Sequence, residues 1–248
     1  MGAEVCRAVC ADGDLELVAG VDPFHVGTPV SHAMGAEGPK LTIAGTADAL
    51  IEAGAQVAVD FTVLSAAREN LRWCARNGVH AVVGTTGFTT DDHADLVATF
   101  TRSNCLLAPN FAIGAILMMR FAEMAAPYFE TAEIIELHHN DKVDAPSGTA
   151  VETARRMGAA RTKWAPDPTT KFVMDGARGA QGPGGVRVHS VRMVGMVASQ
   201  EVILGTTGQS LTIRHDTTDR TSFMPGVILA VKRISEHTGM TIGLDAFL

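Results

Sequence analysis

This sequence of 248 residues has few of the features that mark disulfide-rich, metal-binding or nucleic-acid-binding proteins. Its four cysteines, at positions 6, 10, 74 and 105, are scattered without paired Cys-x-x-Cys motifs, so neither a disulfide framework nor a metal site is expected. The 27 acidic residues outnumber the 20 lysines and arginines, which gives a net charge of −7. Nucleic acids and anionic membranes require a basic surface, so both are excluded as partners.

Long hydrophobic runs are also missing. The most apolar segment, residues 111–119, ends at Arg120 before it could cross a bilayer, and no basic region followed by an apolar stretch begins the chain. No membrane association is therefore expected, and a cytoplasmic location is predicted. With 46% hydrophobic and 19% charged residues, the chain can bury a sizeable core, as an ordinary globular enzyme does.

The densest group of reactive side chains lies within residues 133–150. His138 and His139 can exchange protons near neutral pH, and Lys142 supplies a compact cation. The Ser-Gly-Thr sequence at 147–149 can begin a helix whose N-terminal amides receive an anion. Together these residues predict a site for a small, negatively charged substrate that must be protonated. The alternative is a structural histidine pair beside an ordinary helix cap.

The same segment predicts a strand, a loop and a helix in succession. Residues 133–137 mix β-branched and polar residues as a short strand does, and residues 150–157 are good helix formers. Thr149 and Glu152 have capping-box spacing, so the amides of Gly148 and Thr149 are expected at the helix N-terminus.

Through the first half of the chain, short apolar runs alternate with helical patterns, which is typical of parallel strands joined by crossover helices. The predicted strands are residues 15–21, 56–62, 79–83 and 105–108, and the predicted helices are residues 47–52, 66–77, 91–102 and 112–126. Strand-like runs follow at 186–196, 201–206 and 211–215, while 23–41 and 176–185 are predicted loops. Arg178, in the second loop, is expected to help close the substrate pocket.

Several motifs together resemble one known family. The longest reads Glu-Leu-His-His from Glu136 and then Lys-Val-Asp-Ala-Pro-Ser-Gly-Thr-Ala from Lys142; shorter ones are Gly84-Thr85-Thr86-Gly87, Ala108-Pro109-Asn110-Phe111 and Leu211-Thr-Ile-Arg-His215. In these the chain resembles the dihydrodipicolinate reductases, also called 4-hydroxy-tetrahydrodipicolinate reductases, of the diaminopimelate and lysine pathway. The resemblance implies an α/β fold, a Rossmann-like doubly wound parallel sheet formed by 1–109 and 218–248. Residues 110–217 would form an inserted α+β substrate-binding and oligomerisation domain.

The resemblance also implies a reaction and an assembly. NADH or NADPH would give a hydride to a small anionic dicarboxylate, with His138 as proton donor or acceptor and Lys142 as second proton donor. His139, Gly148 and Thr149 would bind the substrate. Family members are homotetramers that associate through the sheets of their substrate domains, and the alternative here is a monomer whose sheet packs only on its own helices.

Cofactor binding is predicted at the ends of the first strands. Asp22, after the run at 15–21, can accept hydrogen bonds from the adenosine ribose and repel a 2′-phosphate, which favours NADH, although Asp22 could be only a turn residue. His25 is near and leaves some use of NADPH open. The nicotinamide side is predicted to be formed by Phe61, Gly84, Thr85, Thr86, Ala108, Pro109, Asn110 and Phe111.

At the start of the chain, Gly2 takes the place of the third glycine of the family's glycine-rich loop, and the first strand with two glycines does not precede it. We expect Met1 to be an internal methionine taken as a start. Two alternatives stay open: another nicotinamide-dependent dehydrogenase, which would not need the His-His and Pro-Ser-Gly-Thr pairing, and a truncated, cofactor-deficient protein that binds dicarboxylates or acts as a scaffold.

Overall fold

A computed structural model describes residues 1–248 and divides the chain into two compact units. The first unit contains Met1–Phe111 and Arg220–Leu248, and the second contains Ala112–Asp219. Both units combine helices with a β-sheet, and the sheet of the first is Rossmann-like and parallel. No helix has both the length and the apolar character needed to cross a membrane.

The first unit is built on a parallel sheet of four strands in the order β1-β2-β3-β9. Its strands are β1 (Val57–Asp60), β2 (His80–Val83), β3 (Cys105–Leu107) and β9 (Met240–Ile242), and its helices are α1 (Gly2–Ala11), α2 (Val30–Met34), α3 (Asp48–Glu52), α4 (Leu64–Asn77), α5 (Thr90–Thr99) and α8 (Met224–Arg233). β2 and β3 are short and almost wholly apolar because helices cover both faces of a parallel sheet. Leu71, Val83 and Phe100 belong to the core between this sheet and its helices.

The second unit carries a mixed sheet of five strands in the order β5-β6-β4-β7-β8. Its strands are β4 (Thr131–His138), β5 (Ala180–Gln181), β6 (Arg187–Arg192), β7 (Ala198–Thr206) and β8 (Gln209–Thr217), and its helices are α6 (Ile113–Ala125) and α7 (Gly148–Ala160). β4 and β6 run parallel, and the other neighbours are antiparallel. Helix α6 lies against β8, where a Cβ on Gly114 would come within 2.5 Å of the His215 ring.

Strand β4 separates two different environments. Successive side chains of a strand point to opposite faces, so Ile134, Glu136 and His138 share the face on which α7 packs, and Glu133 lies on the other. Ile134 and Glu136 are both fully buried. The strand therefore delivers one carboxylate into the interior and one to the opposite face.

Four predictions of local structure are wrong. Residues 15–21 form no strand; only Val21 makes an isolated bridge, to Ala44, because the rest of the run joins no ladder. A short helix, α2, lies inside the predicted loop 23–41, and the two-residue strand β5 lies inside the predicted loop 176–185. Thr149 is not the cap of α7, as described below. The remaining predicted helices and strands are present, with ends shifted by a few residues.

Candidate active site

Glu136, His138 and Arg192 form a bonded group at the end of β4, named here the inner trio. The parallel register places His138 beside Arg192 of β6. The Glu136 carboxylate lies 2.5 Å from Nδ1 of His138 and accepts two hydrogen bonds from the terminal nitrogens of Arg192, at 2.8 and 2.9 Å. A fully buried carboxylate requires such partners, because an unpaired charge in the interior is costly.

The inner trio fixes the charge of its members. Burial alone would raise the pKa of Glu136, but hydrogen bonds from Arg192, Ser190 and His138 bring it below its ordinary value. Burial also lowers the pKa of His138, an effect that the Glu136 carboxylate partly opposes. At neutral pH the group therefore contains an ionised carboxylate and a largely neutral imidazole.

The loop after β4 carries the candidate second proton donor. Nζ of Lys142 lies 2.7 and 2.9 Å from the two carboxylate oxygens of Asp144, so Asp144 fixes the position of the ammonium group. Arg192 also donates to the backbone carbonyl of Asp144 at 2.6 Å, which ties this loop to β6. The hydrogen bond from Lys142 lowers the pKa of Asp144, so the Asp144 carboxylate is ionised at neutral pH.

The N-terminus of α7 is hydrogen-bonded to the same carboxylate, that of Glu136. Ser147, and not Thr149, is its N-cap: the Ser147 hydroxyl accepts the N–H of Ala150 at 3.2 Å, and the N–H of Ser147 donates to Glu136 at 3.3 Å. The predicted capping box fails because the side chain of Glu152 pairs with Arg155 and Arg156. The amides of Gly148 and Thr149 still lie in the first turn, at the positive end of the helix.

A second chain of hydrogen bonds holds the first turn of α7 on the sheet. Gln200 of β7 donates to the hydroxyl of Thr153 at 2.8 Å, and that hydroxyl donates to the carbonyl of Thr149 at 2.7 Å. Gln200 is also the cross-strand neighbour of Glu136. The helix start is thus held by hydrogen bonds from two adjacent strands, β4 and β7.

His139 and Arg178 are placed differently from the inner trio. His139 follows the end of β4 and is exposed, with its carbonyl accepting the N–H of Lys142 at 3.2 Å. The expectation that Arg178 closes the substrate pocket is wrong: Arg178 binds Glu133, on the face of β4 opposite His138, and Asp167. Because successive side chains of β4 point to opposite faces of the sheet, Arg178 is separated from the candidate site.

Glu133, His189 and Arg178 form a second group, named here the outer trio. Glu133 lies 2.5 Å from Nε2 of His189, and Arg178 donates to its other oxygen. The side chains are between 25% and 32% exposed, in contrast with the fully buried Glu136. Gly179 lies over the His189 ring, since a Cβ there would be 2.7 Å from Nδ1.

In the first unit, the predicted nicotinamide-side residues meet at the carboxyl ends of three strands. Asp60, Val83 and Leu107 are register partners at these ends, so the segments that follow them lie side by side. The rings of Phe61 and Phe111 are 5.6 Å apart. Such an edge is where open parallel sheets bind ligands, so the residues present fit a dinucleotide.

The absence of a side chain at Gly84 also makes room for a neighbouring ring. Its missing side chain admits the Phe61 ring, whose Cε1 would be 2.0 Å from a Cβ at this position. Asp60 joins the neighbouring segments by accepting from the backbone and hydroxyl of Thr62, at 2.8 and 2.7 Å, and Thr85 donates to the carbonyl of Thr62 at 2.8 Å. Phe61, Thr62 and Thr85 are therefore held as one unit.

Asp22 lies just after the Val21 bridge, with both carboxylate oxygens engaged. One accepts the N–H of Phe24 at 2.9 Å, and the other lies 2.8 Å from Nδ1 of His25. The hydrogen bond from Phe24 lowers the pKa of Asp22, which keeps this exposed side chain ionised. The structure thus brings His25 directly onto the residue predicted to select the cofactor.

The sequence interpretation missed the role of Glu136 and did not single out Arg192. Glu136 was quoted only as part of a motif, although a carboxylate in an apolar strand indicates a buried partner of opposite charge. Arg192 lies on the same face of β6 as the buried Val188, and this alternation was the signal available in the sequence.

Comparison with known families gives a match over nearly the whole chain. Residues 1–111 match the model described as "Dihydrodipicolinate reductase, N-terminus", and residues 114–248 match "Dihydrodipicolinate reductase, C-terminus". The chain belongs to the dihydrodipicolinate reductase family. Members of this family are NAD(P)H-dependent oxidoreductases, so the enzyme class predicted from the motifs is confirmed.

Individual relatives agree with this assignment. The 4-hydroxy-tetrahydrodipicolinate reductase of Mycobacterium sp. (strain KMS) is 47% identical over 252 residues, which cover 100% of this chain and 94% of the relative. The reductase of Streptomyces avermitilis is 48% identical over 254 residues, covering 100% and 93%. Similarity to these family members therefore extends along both units.

Solved structures agree at the level of the fold. "Dipicolinate bound Dihydrodipicolinate reductase from Paenisporosarcina sp. TG-14" has a TM-score of 0.88 and 36% identity, covering 100% of this chain and 95% of that chain. The amine dehydrogenase of Mycobacterium smegmatis, with a TM-score of 0.65, 14% identity and coverage of 98% and 93%, shares the fold alone. The family's Rossmann-like architecture is thus common to other dehydrogenases.

Proposed function

We propose that this protein reduces 4-hydroxy-tetrahydrodipicolinate to tetrahydrodipicolinate with NADH or NADPH, a step of diaminopimelate and lysine biosynthesis. The observation that carries the proposal is the bonded group of ionised Glu136, His138 and Arg192 beside Lys142 and the first turn of α7. A dicarboxylate that must be protonated needs this combination of proton donors and anion receptor. The names of the relatives support the same reaction.

Each residue of the candidate site has a separate task. When bound, NAD(P)H supplies the hydride. His138 gives or takes a proton through its ring, and Lys142, held by Asp144, is the second proton donor. The amides of Gly148 and Thr149 orient one carboxylate of the substrate, and the exposed His139 contacts the substrate from the loop. The dipicolinate-bound relative supports a planar dicarboxylate as ligand.

We infer that NADH is the preferred cofactor. Asp22 stays ionised and would repel a 2′-phosphate, while its neighbour His25 limits this repulsion. Changing Asp22→Ala should therefore raise the affinity for NADPH relative to NADH by about 10-fold, which corresponds to roughly 1.4 kcal/mol. Fluorescence titration with both cofactors measures this ratio. An unchanged ratio would mean that Asp22 is only a turn residue.

A homotetramer is proposed from the uncovered face of the second sheet. On β8, His215 faces α6, so Thr212 and Arg214 point the other way, and their neighbours on β7 are Ile203 and Glu201. This face can pair with its equivalent on another copy, because a symmetric interface needs one self-complementary surface. Analytical ultracentrifugation tests the assembly, and a monomer at micromolar concentration would contradict it. A biosynthetic enzyme with free cysteines is expected in the cytoplasm.

Two measurements on the whole protein test the reaction. Oxidation of NADH, followed by the loss of its absorbance, should depend on freshly prepared 4-hydroxy-tetrahydrodipicolinate. Calorimetry should detect NADH binding that is strengthened by pyridine-2,6-dicarboxylate, a planar mimic of the substrate. Binding of the mimic without binding of NADH would favour the cofactor-deficient dicarboxylate-binding protein instead.

A further inference from the structure

The inner trio determines where the proton of neutral His138 resides. A carboxylate can only accept hydrogen bonds, and the Glu136 carboxylate lies 2.5 Å from Nδ1 of His138. Arg192 keeps Glu136 ionised by donating to both of its oxygens. Nδ1 must therefore carry the hydrogen. Nε2, which has no hydrogen-bond partner within the protein, is left with its lone pair.

We propose that Glu136 is the positioning residue of the acid–base histidine: it holds the proton on Nδ1, so that protons enter and leave His138 only through Nε2. Arg192 acts through Glu136, by fixing the carboxylate in place. This inference rests on the proposed function, because it assumes that His138 transfers a proton. The tautomer itself can be measured without turnover.

Other charged groups near His138 do not offer an alternative partner for Nδ1. Lys142 from the following loop and Arg192 from β6 both disfavour a positive charge on the ring, and Glu136 favours it. Lys142 is engaged by Asp144. From β7, the register neighbour of His138 is Ala198, which has no ionisable side chain. Glu136 is therefore the group that sets the tautomer.

The same geometry predicts that Glu136→Gln reverses the tautomer. In wild type, one carboxylate oxygen faces Arg192 and the N–H of Ser147, and the other faces Arg192 and His138. The amide of Ser147 and the guanidinium of Arg192 can only donate, whereas the His138 ring can also accept, so the glutamine oxygen stays toward Ser147 and one terminal nitrogen of Arg192. The hydrogen bond from the other terminal nitrogen of Arg192 is lost in either orientation. The NH₂ group then donates to Nδ1 of His138, and the ring hydrogen moves to Nε2.

The first experiment records long-range ¹H–¹⁵N spectra of the histidine rings at a pH where His138 is neutral. The signals of His138 are assigned from their loss in His138→Asn. Wild type should show the Nδ1–H tautomer, and Glu136→Gln should show the Nε2–H tautomer. The Nε2–H tautomer in wild type would overturn the proposal, even if the variant failed to fold.

The second experiment separates positioning from structure by kinetics and binding. In Glu136→Gln, kcat should fall by about 10²-fold or more, in the range lost when an acid–base histidine takes the wrong tautomer. The dissociation constant of pyridine-2,6-dicarboxylate should stay within about 3-fold, because the glutamine oxygen still holds Ser147 and the start of α7. Equal losses of kcat and of affinity would show that Glu136 is only structural.

Glu133→Gln in the outer trio is the matched control, because it changes the same chemical group bonded to a histidine and an arginine. It should leave kcat and the His138 tautomer unchanged. An effect on kcat equal to that of Glu136→Gln would overturn the specific role of Glu136. If wild type shows the Nδ1–H tautomer but no turnover, the proposed function fails while the positional assignment of the proton stands.

Discussion

Strand β4 bears a Glu–His–Arg trio on each of its faces, and the two differ in which atom of the histidine is left over. In the inner trio Glu136 holds Nδ1 of His138, and Nε2 has no protein partner. In the outer trio Glu133 holds Nε2 of His189, and the remaining nitrogen lies beneath Gly179. Identical residue types at equal 2.5 Å distances thus leave Nε2 without a protein partner in one ring and Nδ1 in the other.

The trios also differ in burial and in the segments to which their carboxylates are bonded. Glu136 is fully buried and receives the N–H of Ser147 from the start of a helix, whereas Glu133 is 30% exposed and joins a loop through Arg178. A pair in the interior is sensitive to loss of one partner, while an exposed pair is screened by water. The comparison teaches that placement, not composition, separates a candidate acid–base group from a structural ion pair.

The largest expected difference between the trios is in activity. His138→Gln should lower kcat/KM by about 10²–10⁴-fold, the usual contribution of general acid–base catalysis. His189→Gln should change it by less than about 3-fold, because His189 is held by Glu133 on the face of β4 opposite His138. Steady-state assays of NADH oxidation measure both variants. Comparable losses of kcat/KM in the two variants would mean that the two faces of β4 do not differ in function.

The next difference is in stability. Arg192→Met leaves the buried Glu136 without its main cation and should cost about 3–5 kcal/mol of the free energy of unfolding. Arg178→Met, on the partly exposed Glu133, should lower it far less, because water screens this ion pair. Urea unfolding followed by circular dichroism compares them. If the two substitutions lower the free energy of unfolding equally, burial does not determine the strength of these ion pairs.

A smaller effect is expected from the cover over His189. Gly179→Ala forces a side chain into a φ of +61° and to 2.6 Å from the carbonyl of Val188, so we expect a loss of about 2–4 kcal/mol. Gly176→Ala in the same loop is the control, because its φ is +74° but nothing lies within 4 Å, and about 1 kcal/mol should be lost. Thermal unfolding should rank them in this order, and the reverse order would argue against a close cover.

The smallest effect concerns pH. The pKa of His138 is lowered by burial from its ordinary 6.5, so below that pH the unfolded chain takes up this proton before the folded one. Stability that is present above pH 6.5 is therefore lost as the pH falls through the lowered pKa of His138 in the folded protein. The loss is at most about 1.4 kcal/mol per pH unit. His138→Gln should flatten this part of the stability curve, and an unchanged slope would refute the contribution.

Predictions from the sequence succeeded where a local pattern determines the outcome. The apolar runs at 79–83 and 105–108 are buried strands, because such short runs have few other stable uses. The run at 15–21 had a similar pattern, but a strand also needs a partner, and only Val21 has one. Strand pairing depends on the whole sheet and cannot be predicted from a single apolar run.

The candidate site shows the same limit. The sequence identified His138, Lys142 and the start of α7, since they lie within one segment. Arg192 is separated from Glu136 by 56 residues and reaches it only through the parallel register of β4 and β6. Ser147 replaced Thr149 as the cap because a carboxylate 11 residues earlier holds its backbone N–H. Contacts of this kind follow from tertiary structure and have no local pattern.

The parallel pairing of β4 with β6 has a consequence for the order in which the site forms during synthesis and folding. Parallel neighbours need a crossover, and here it contains α7 and the long segment after it, so the last strand of the pair is made well after the first. Contacts that close such long loops form late in folding. A nascent chain that has emerged only as far as α7 already has its histidine but not Arg192. If His138 transfers a proton as proposed, that step requires the completed sheet of the second unit, because only then does Arg192 reach Glu136.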